Sequence, residues 1–321
     1  MDRPGALNGR RPDGALSVLE RAVRAFVHPL PDGAWVALSG GADSLALTAA
    51  AARTGVAIGA LIVDHGLQPG SGDVAERAAQ QAQQFGLRTR VLRVSVGTGG
   101  GREAAARVAR YEALDGARDG LPVLIAHTLD DQAETVLLGL ARGSGARSIA
   151  GMRPWRDPWG RPLLGVRREL TARACAELGL APHHDPHNSD RAFTRVRLRA
   201  EVLPLLEEVL GGGVAPALAR TARELRADND LLDELAREHA VTGERVGVTV
   251  VRSLPAPVRT RVLRDWLHRL GTTPTEPVIR AVDDLLVDWH GQGAVAIGGD
   301  RDVRRVVARV DDRLVIERHR R

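Results

Sequence analysis

The sequence predicts an α/β protein: a Rossmann-like parallel sheet with flanking helices, followed by a long helix and a small α+β C-terminal domain. From Trp35 to Ala126, short apolar runs alternate with amphipathic segments, as in a parallel sheet covered by helices. Three consecutive glycines, Gly211–Gly213, then interrupt the chain before a long amphipathic stretch. The 321 residues, 44% of them hydrophobic, exceed one average domain and are enough for a well-buried main core. Domains are therefore expected over residues 1–212 and 213–321.

The strand candidates are Trp35–Leu38, Ala57–Val63, Arg88–Val94 and Val123–Ala126. Helical periodicity occupies Ser44–Arg53, Asp73–Phe85, Glu103–Ala117 and Asp131–Leu140. A Gly/Trp/Pro-rich stretch, Gly151–Pro162, breaks the alternation before a helix over Arg168–Leu178 and a polar loop, His183–Arg199, that runs into an arginine-dense helix start. After the glycines a long helix spans Ala215–His239. The small domain has strand candidates Arg245–Val251, Ala294–Ile297, Arg304–Val310 and Leu314–Glu317. The first dozen residues read as disordered.

Composition excludes several chemistries. All 45 basic residues are arginine, so a Walker-type phosphate loop and Schiff-base catalysis, which need lysine, are ruled out. The single cysteine, Cys175, can form neither an internal disulfide nor a cysteine-based metal cluster, and reads as a structural helix position. A net charge of +5 carried by arginine fits a polyanionic partner, although a genome-wide codon bias gives the same composition. No apolar run is long enough to cross a membrane and no signal-peptide core opens the chain, so a cytoplasmic protein is expected.

In such sheets ligands bind at the carboxyl ends of the strands. There the first strand candidate runs into Ser39-Gly40-Gly41-Ala42-Asp43-Ser44. Paired glycines let backbone N–H groups approach a phosphate, the following helix adds its N-terminal donors, and both serines supply hydroxyls. Asp43 offers the oxygen ligands that Mg²⁺ prefers, or a helix cap. Asp64-His65-Gly66-Leu67 follows the second strand. The fourth leads into His127-Thr128-Leu129-Asp130-Asp131-Gln132-Ala133-Glu134-Thr135, where capping accounts for one acid but not for the set.

The first of these segments resembles the SGGxDS signature of the PP-loop ATP pyrophosphatases, which cleave ATP between its α- and β-phosphates. The third is similar to the HxxDDQxET motif of the tRNA(Ile)-lysidine synthetases. Further segments extend that resemblance over Trp35–Leu210: Glu103–Tyr111 (EAxARxxRY), Arg142–Gly145 (RGSG), Arg161–Leu164 (RPLL) and Asp185–Asn188 (D-x-x-N). One departure is Val196, where the family usually has Asn. The chain also resembles the short form of the family, with one small C-terminal domain.

The resemblance implies an ATP-dependent carbon-nitrogen ligase. It joins L-lysine to C2 of the wobble cytidine in the CAU anticodon of isoleucine tRNA through an adenylated intermediate, releasing AMP and pyrophosphate. ATP and Mg²⁺ are the implied cofactors. ATP contacts fall on Ser39, Gly40, Gly41, Ala42, Asp43, Ser44, Asp64, His65 and His127, with Asp43 on the metal. The catalytic set is Asp43, Asp131, Glu134, Arg110 and Arg195. Arg142, Arg147, Arg197, Arg199, Arg301, Arg304 and Arg305 are expected to contact tRNA phosphates. Oligomerisation stays open. The rivals are another PP-loop tRNA-modifying enzyme and a non-catalytic RNA-binding module on the same scaffold. The run His183-His184-Asp185-Pro186-His187 lacks a separated second pair of zinc ligands and reads as an active-site loop.

Overall fold

A computed structural model describes residues 14–66, 70–95, 97, 102–143, 145–185, 190–299 and 301–320. The expected disordered first dozen residues lie outside these, as do Leu67, Ser144 and 186–189 of the motifs above. The chain forms two compact units, one of residues 1–141 with 151–221, the other of 142–150 with 222–321. The division falls inside the long helix rather than at Gly211–Gly213.

The first unit holds a sheet ordered β3-β2-β1-β4-β6-β5. Its strands are β1 (Ala34–Ala37), β2 (Ile58–Asp64), β3 (Arg88–Arg93), β4 (Val123–Leu124), β5 (Trp155–Arg156) and β6 (Trp159–Gly160). β1 to β4 and β6 run parallel, and only β5 is antiparallel, paired to β6 in a small hairpin. β1 sits centrally between β2 and β4, and the residues of β1 and β2 are almost continuously buried, as expected of strands covered on both faces.

Three helices pack on one another against this sheet: α1 (Ala15–Val27), α2 (Ala42–Ala52) and α7 (Arg168–Glu177). α1 had no counterpart in the sequence reading, although Leu16, Leu19, Val23 and Val27 follow helical spacing and are buried. The Glu177 carboxylate of α7 accepts the N–H groups of Ala15 (2.8 Å) and Leu16 (3.0 Å), satisfying orphan donors at the start of α1. The helices α3 (Ser71–Gln84), α4 (Arg102–Ala117) and α5 (Leu129–Ala141) follow β2, β3 and β4. α8 (Thr194–Arg197) continues through a π-helical turn, Leu198–Val202, into α9 (Leu203–Val209). Gly211, Gly212 and Gly213 all have positive φ, ending α9 and turning the chain into α10 (Val214–Glu238).

The second unit has its own core, with Trp266, Leu263, Ile279, Leu286, Val307 and Leu314 buried. Its antiparallel sheet is ordered β7-β10-β9-β8: β7 (Arg245–Gly247), β8 (Val295–Gly299), β9 (Val303–Val310) and β10 (Arg313–Arg320). Its helices are α6 (Ala146–Ile149), α11 (Val248–Arg252), α12 (Ala256–Arg269) and α13 (Glu276–Val287), together with the later part of α10. The expected strand Arg245–Val251 is corrected here: only residues 245–247 are extended. Val248 and Val251, three apart, both enter the core, whereas Thr249 and Val250 are exposed, and that burial is helical despite the β-branched run. Among the described residues, no single helix is long and apolar enough to cross a membrane.

Candidate active site

The phosphate loop follows β1. Gly40 has φ +84°, a conformation that favours glycine, and its carbonyl accepts the His183 N–H at 2.9 Å. The described part of the histidine-rich segment thus lies against the loop. Ser44 Oγ accepts the Ser39 N–H (3.2 Å), meets Ser39 Oγ (3.1 Å) and donates to the Gly41 carbonyl (2.9 Å). The loop is tied across its own mouth, with the first N–H groups of α2 unused by the helix.

Asp43, in the first turn of α2, accepts from Thr171 Oγ1 and from Arg168 Nε (3.3 Å), both on α7. Burial pushes its carboxyl above the usual carboxylate range; the Thr171 hydrogen bond and the Arg168 charge oppose this, and Asp131 adds to it.

Asp131 and Glu134 lie on α5. Thr128 precedes that helix and donates both its N–H and its Oγ1–H to Asp131 Oδ2, each at 2.8 Å, while Asp131 N–H returns to Thr128 Oγ1 at 3.3 Å. This reciprocal pattern is a capping box, so Asp131 acts at the third helical position and not as the N-cap itself. The free oxygen, Oδ1, accepts from Arg168 Nη2 and lies 3.5 Å from Arg199 Nη2. Burial opposes the Asp131 charge, but the Arg168 guanidinium and the two Thr128 hydrogen bonds outweigh it and hold the carboxyl below its usual range. Glu134 is fully buried, yet three guanidinium groups reach it: Arg199 Nε at 2.8 Å, Arg168 Nη1 at 3.4 Å and Arg195 Nη1 at 3.5 Å. Arg195 and Arg199 flank the start of the π-helical turn, a common feature of functional sites.

Arg168 joins the two carboxylate groups. Its three side-chain nitrogens contact Asp43, Asp131 and Glu134, and its backbone N–H donates to Asp130 at 2.8 Å. Burial works against its charge, and the three acids overcome this and raise its basicity. Neither Arg168 nor Thr171 was singled out from the sequence. The available signal was a pair of arginines at a helix start, where the dipole disfavours cations unless anions face them.

A second group lies past β2 and β4. Asp64 accepts the Gly66 N–H at 3.0 Å and is held below its usual range first by Ser71 and then by that bond. Arg110, on α4, donates to His65 Nε2 at 3.3 Å. Arg161 Nε donates to His127 Nδ1 at 3.2 Å, and burial pushes His127 down to about 4, so its ring is neutral at physiological pH. Beside them Tyr111 meets Trp159 edge-on, with centroids 4.7 Å apart.

The remaining arginines are dispersed. Arg197 donates to Glu201 at 3.1 Å. In the second unit Arg147 pairs with Asp233, and Arg301 and Arg304 are exposed. Arg305 Nη1 donates to the Leu270 carbonyl at 2.6 Å, where α12 ends. Cys175 is buried, its thiol pushed up to about 11 by burial, and it donates to the Ala42 carbonyl.

Residues 16–206 match the PP-loop domain family, and residues 248–315 match the TilS substrate binding domain. Over 314 residues the chain is 58% identical to a tRNA(Ile)-lysidine synthase of Nocardia farcinica, covering 95% of this chain and 99% of the relative. It is 59% identical to the synthase of that name from Mycobacterium tuberculosis over 317 residues, covering 95% and 98%. The chain belongs to the tRNA(Ile)-lysidine synthase family. Among solved structures it is similar to the U34-tRNA thiolase NcsA from Methanococcus maripaludis, with TM-score 0.52 and 17% identity over 66% of this chain and 79% of that one. That likeness concerns the fold alone. Within the segment that matches the PP-loop domain, the acid of the phosphate loop and the α5 acids converge on one arginine.

Proposed function

We infer that the chain is an ATP-dependent tRNA(Ile)-lysidine synthase that ligates L-lysine to C2 of the wobble cytidine of a CAU anticodon, releasing AMP and pyrophosphate. One observation carries the assignment to this site: a single guanidinium, Arg168, bridges the phosphate-loop acid Asp43 and the α5 acids Asp131 and Glu134. ATP phosphates and an amine would therefore meet within one side chain's reach.

The loop backbone, Ser39 and Ser44 receive the pyrophosphate end of ATP, helped by the N-terminus of α2. Asp64, His65 and Arg110 line the nucleotide side. Neutral His127, whose Nδ1 accepts from Arg161, keeps Nε2–H as a donor and cannot act as an acid near neutral pH. Asp43 and Asp131 fit Mg²⁺, for they are hard oxygen donors close enough to repel each other, and phosphate-bound Mg²⁺ commonly takes one or two carboxylates. The ion would neutralise charge on the triphosphate.

Cytosine O2 attacks the α-phosphorus and pyrophosphate leaves; the lysine ε-amine then adds at C2 and AMP departs. Glu134 orients that amine, and Arg195 and Arg199 stabilise the charge that develops. Outside this cluster, Arg142, Arg147, Arg197, Arg301 and Arg304 supply phosphate contacts to tRNA. The test is AMP release from ATP with each component omitted in turn. AMP that needs isoleucine tRNA bearing CAU supports the assignment, and AMP formed equally with a tRNA lacking that anticodon refutes it.

A further inference from the structure

We propose that Arg168 is a built-in counter-ion that keeps the Asp43–Asp131 pair from taking a divalent cation until ATP brings one. The proposal rests on the reading that these two carboxylates face the phosphate-bound metal. The sequence begins it: an arginine at the first position of a helix is disfavoured by the dipole, so its retention in that place needs anions in front of it. The structure supplies three. Nε lies 3.3 Å from Asp43 Oδ2, Nη1 lies 3.4 Å from Glu134 Oε1, and Nη2 donates to Asp131 Oδ1.

These contacts use the carboxylate oxygens that a metal needs. The second oxygen of Asp43 accepts from Thr171, and the second of Asp131 is committed to the capping box. With Arg168 in place, a bare cation meets a guanidinium and carboxylates whose charge is already balanced. A cation that arrives with a triphosphate brings excess negative charge, which attracts the guanidinium away from the acids. Glu134 keeps Arg195 and Arg199 whatever Arg168 does, and Asp131 keeps Arg199 at 3.5 Å. Among the arginines whose contacts are described, Asp43 is ion-paired to Arg168 alone, so it gains most from its removal. Arg168 is thus a positioning residue that also sets the order of binding, metal with nucleotide.

The experiment follows Mn²⁺ binding to the full chain by electron paramagnetic resonance, without nucleotide and with a non-hydrolysable ATP analogue. Wild-type protein should bind Mn²⁺ weakly alone and tightly with the analogue; tight binding without nucleotide overturns the proposal on the unmodified chain. Arg168→Met should tighten nucleotide-free Mn²⁺ binding at least tenfold, and Arg168→Lys, which retains the charge, should stay near wild type. Unchanged Mn²⁺ affinity in a folded Arg168→Met protein makes Arg168 a plain strut and overturns the counter-ion role. Adding Asp43→Asn to Arg168→Met should abolish the gain. If the gain persists, the placement of the metal at Asp43 is wrong, and with it the reading on which the proposal stands.

Discussion

Replacing Glu134 by Gln keeps the shape of a fully buried side chain and removes one negative charge facing three arginines. Arg199 grips both carboxylate oxygens, Nε at 2.8 Å and Nη2 at 3.3 Å, and an amide offers only one acceptor to that fork. Breaking a buried ion pair by removing one partner costs about 3–5 kcal/mol. Here the Arg195 and Arg199 side chains are 47% and 36% exposed, so water takes over part of their solvation, leaving about 2 kcal/mol. For a unit of this size that lowers Tm by about 4–8 °C. Differential scanning calorimetry measures it, and lysidine yield should fall with it because the amine loses an acceptor. A melting transition unchanged within about 1 °C would refute the reasoning that Glu134 is the anchor of the arginine cluster.

Asp43→Ala should abolish AMP formation while circular dichroism stays native, since the acid lies at the loop and not in the packed core; normal tRNA-dependent turnover would contradict this. His127 is held at about 4 against an ordinary 6.5, so between those pH values the unfolded chain binds a proton that the folded chain refuses. Stability should therefore be complete above pH 6.5 and fall as pH drops toward 4, by at most about 3 kcal/mol from this group. Urea unfolding across that window should show a flatter slope in His127→Gln, and an identical slope would remove His127 as the cause. The pair of exposed arginines Arg301 and Arg304, both changed to Ala, should reduce the slope of log affinity for tRNA against log salt by about 2. Arg305→Ala should instead lower the melting temperature of the second unit, because its guanidinium is spent on the Leu270 and Gly271 carbonyls.

The parallel sheet was legible because β1 and β2 are buried on both faces and read as unbroken apolar runs, each followed by polar residues at its carboxyl end. The loop Ser39–Ser44 was legible for a different reason: its glycines, serines and acid form one contiguous segment whose chemistry is local. What escaped was non-local. Arg168 lies 125 residues from Asp43 and 34 from Glu134, and no spacing rule links them. Arg199 was expected on tRNA, and the structure places it on Glu134 and Asp131, a pairing set by how the π-helical turn faces α5. In the small unit, Val248 and Val251 show why β-branched content misleads: burial at a spacing of three overrode strand propensity. The β5–β6 hairpin was hidden because Gly and Pro interrupt Gly151–Pro162 and leave only two-residue strands, although Trp155 and Trp159 pair across it in register with Gly160 and Arg156.

In the proposed function, the Arg168-centred cluster and the phosphate loop together make one lysine-ligating site. The most direct measurement incubates the purified chain with ATP, Mg²⁺, labelled L-lysine and isoleucine tRNA bearing a CAU anticodon, then digests the tRNA and identifies the labelled nucleoside by mass spectrometry. The expected result is one lysine per tRNA, attached at the wobble cytidine, with stoichiometric AMP, and loss of both products in Asp43→Ala. Full AMP release with no label in the nucleoside, or label retained in Asp43→Ala, would contradict it.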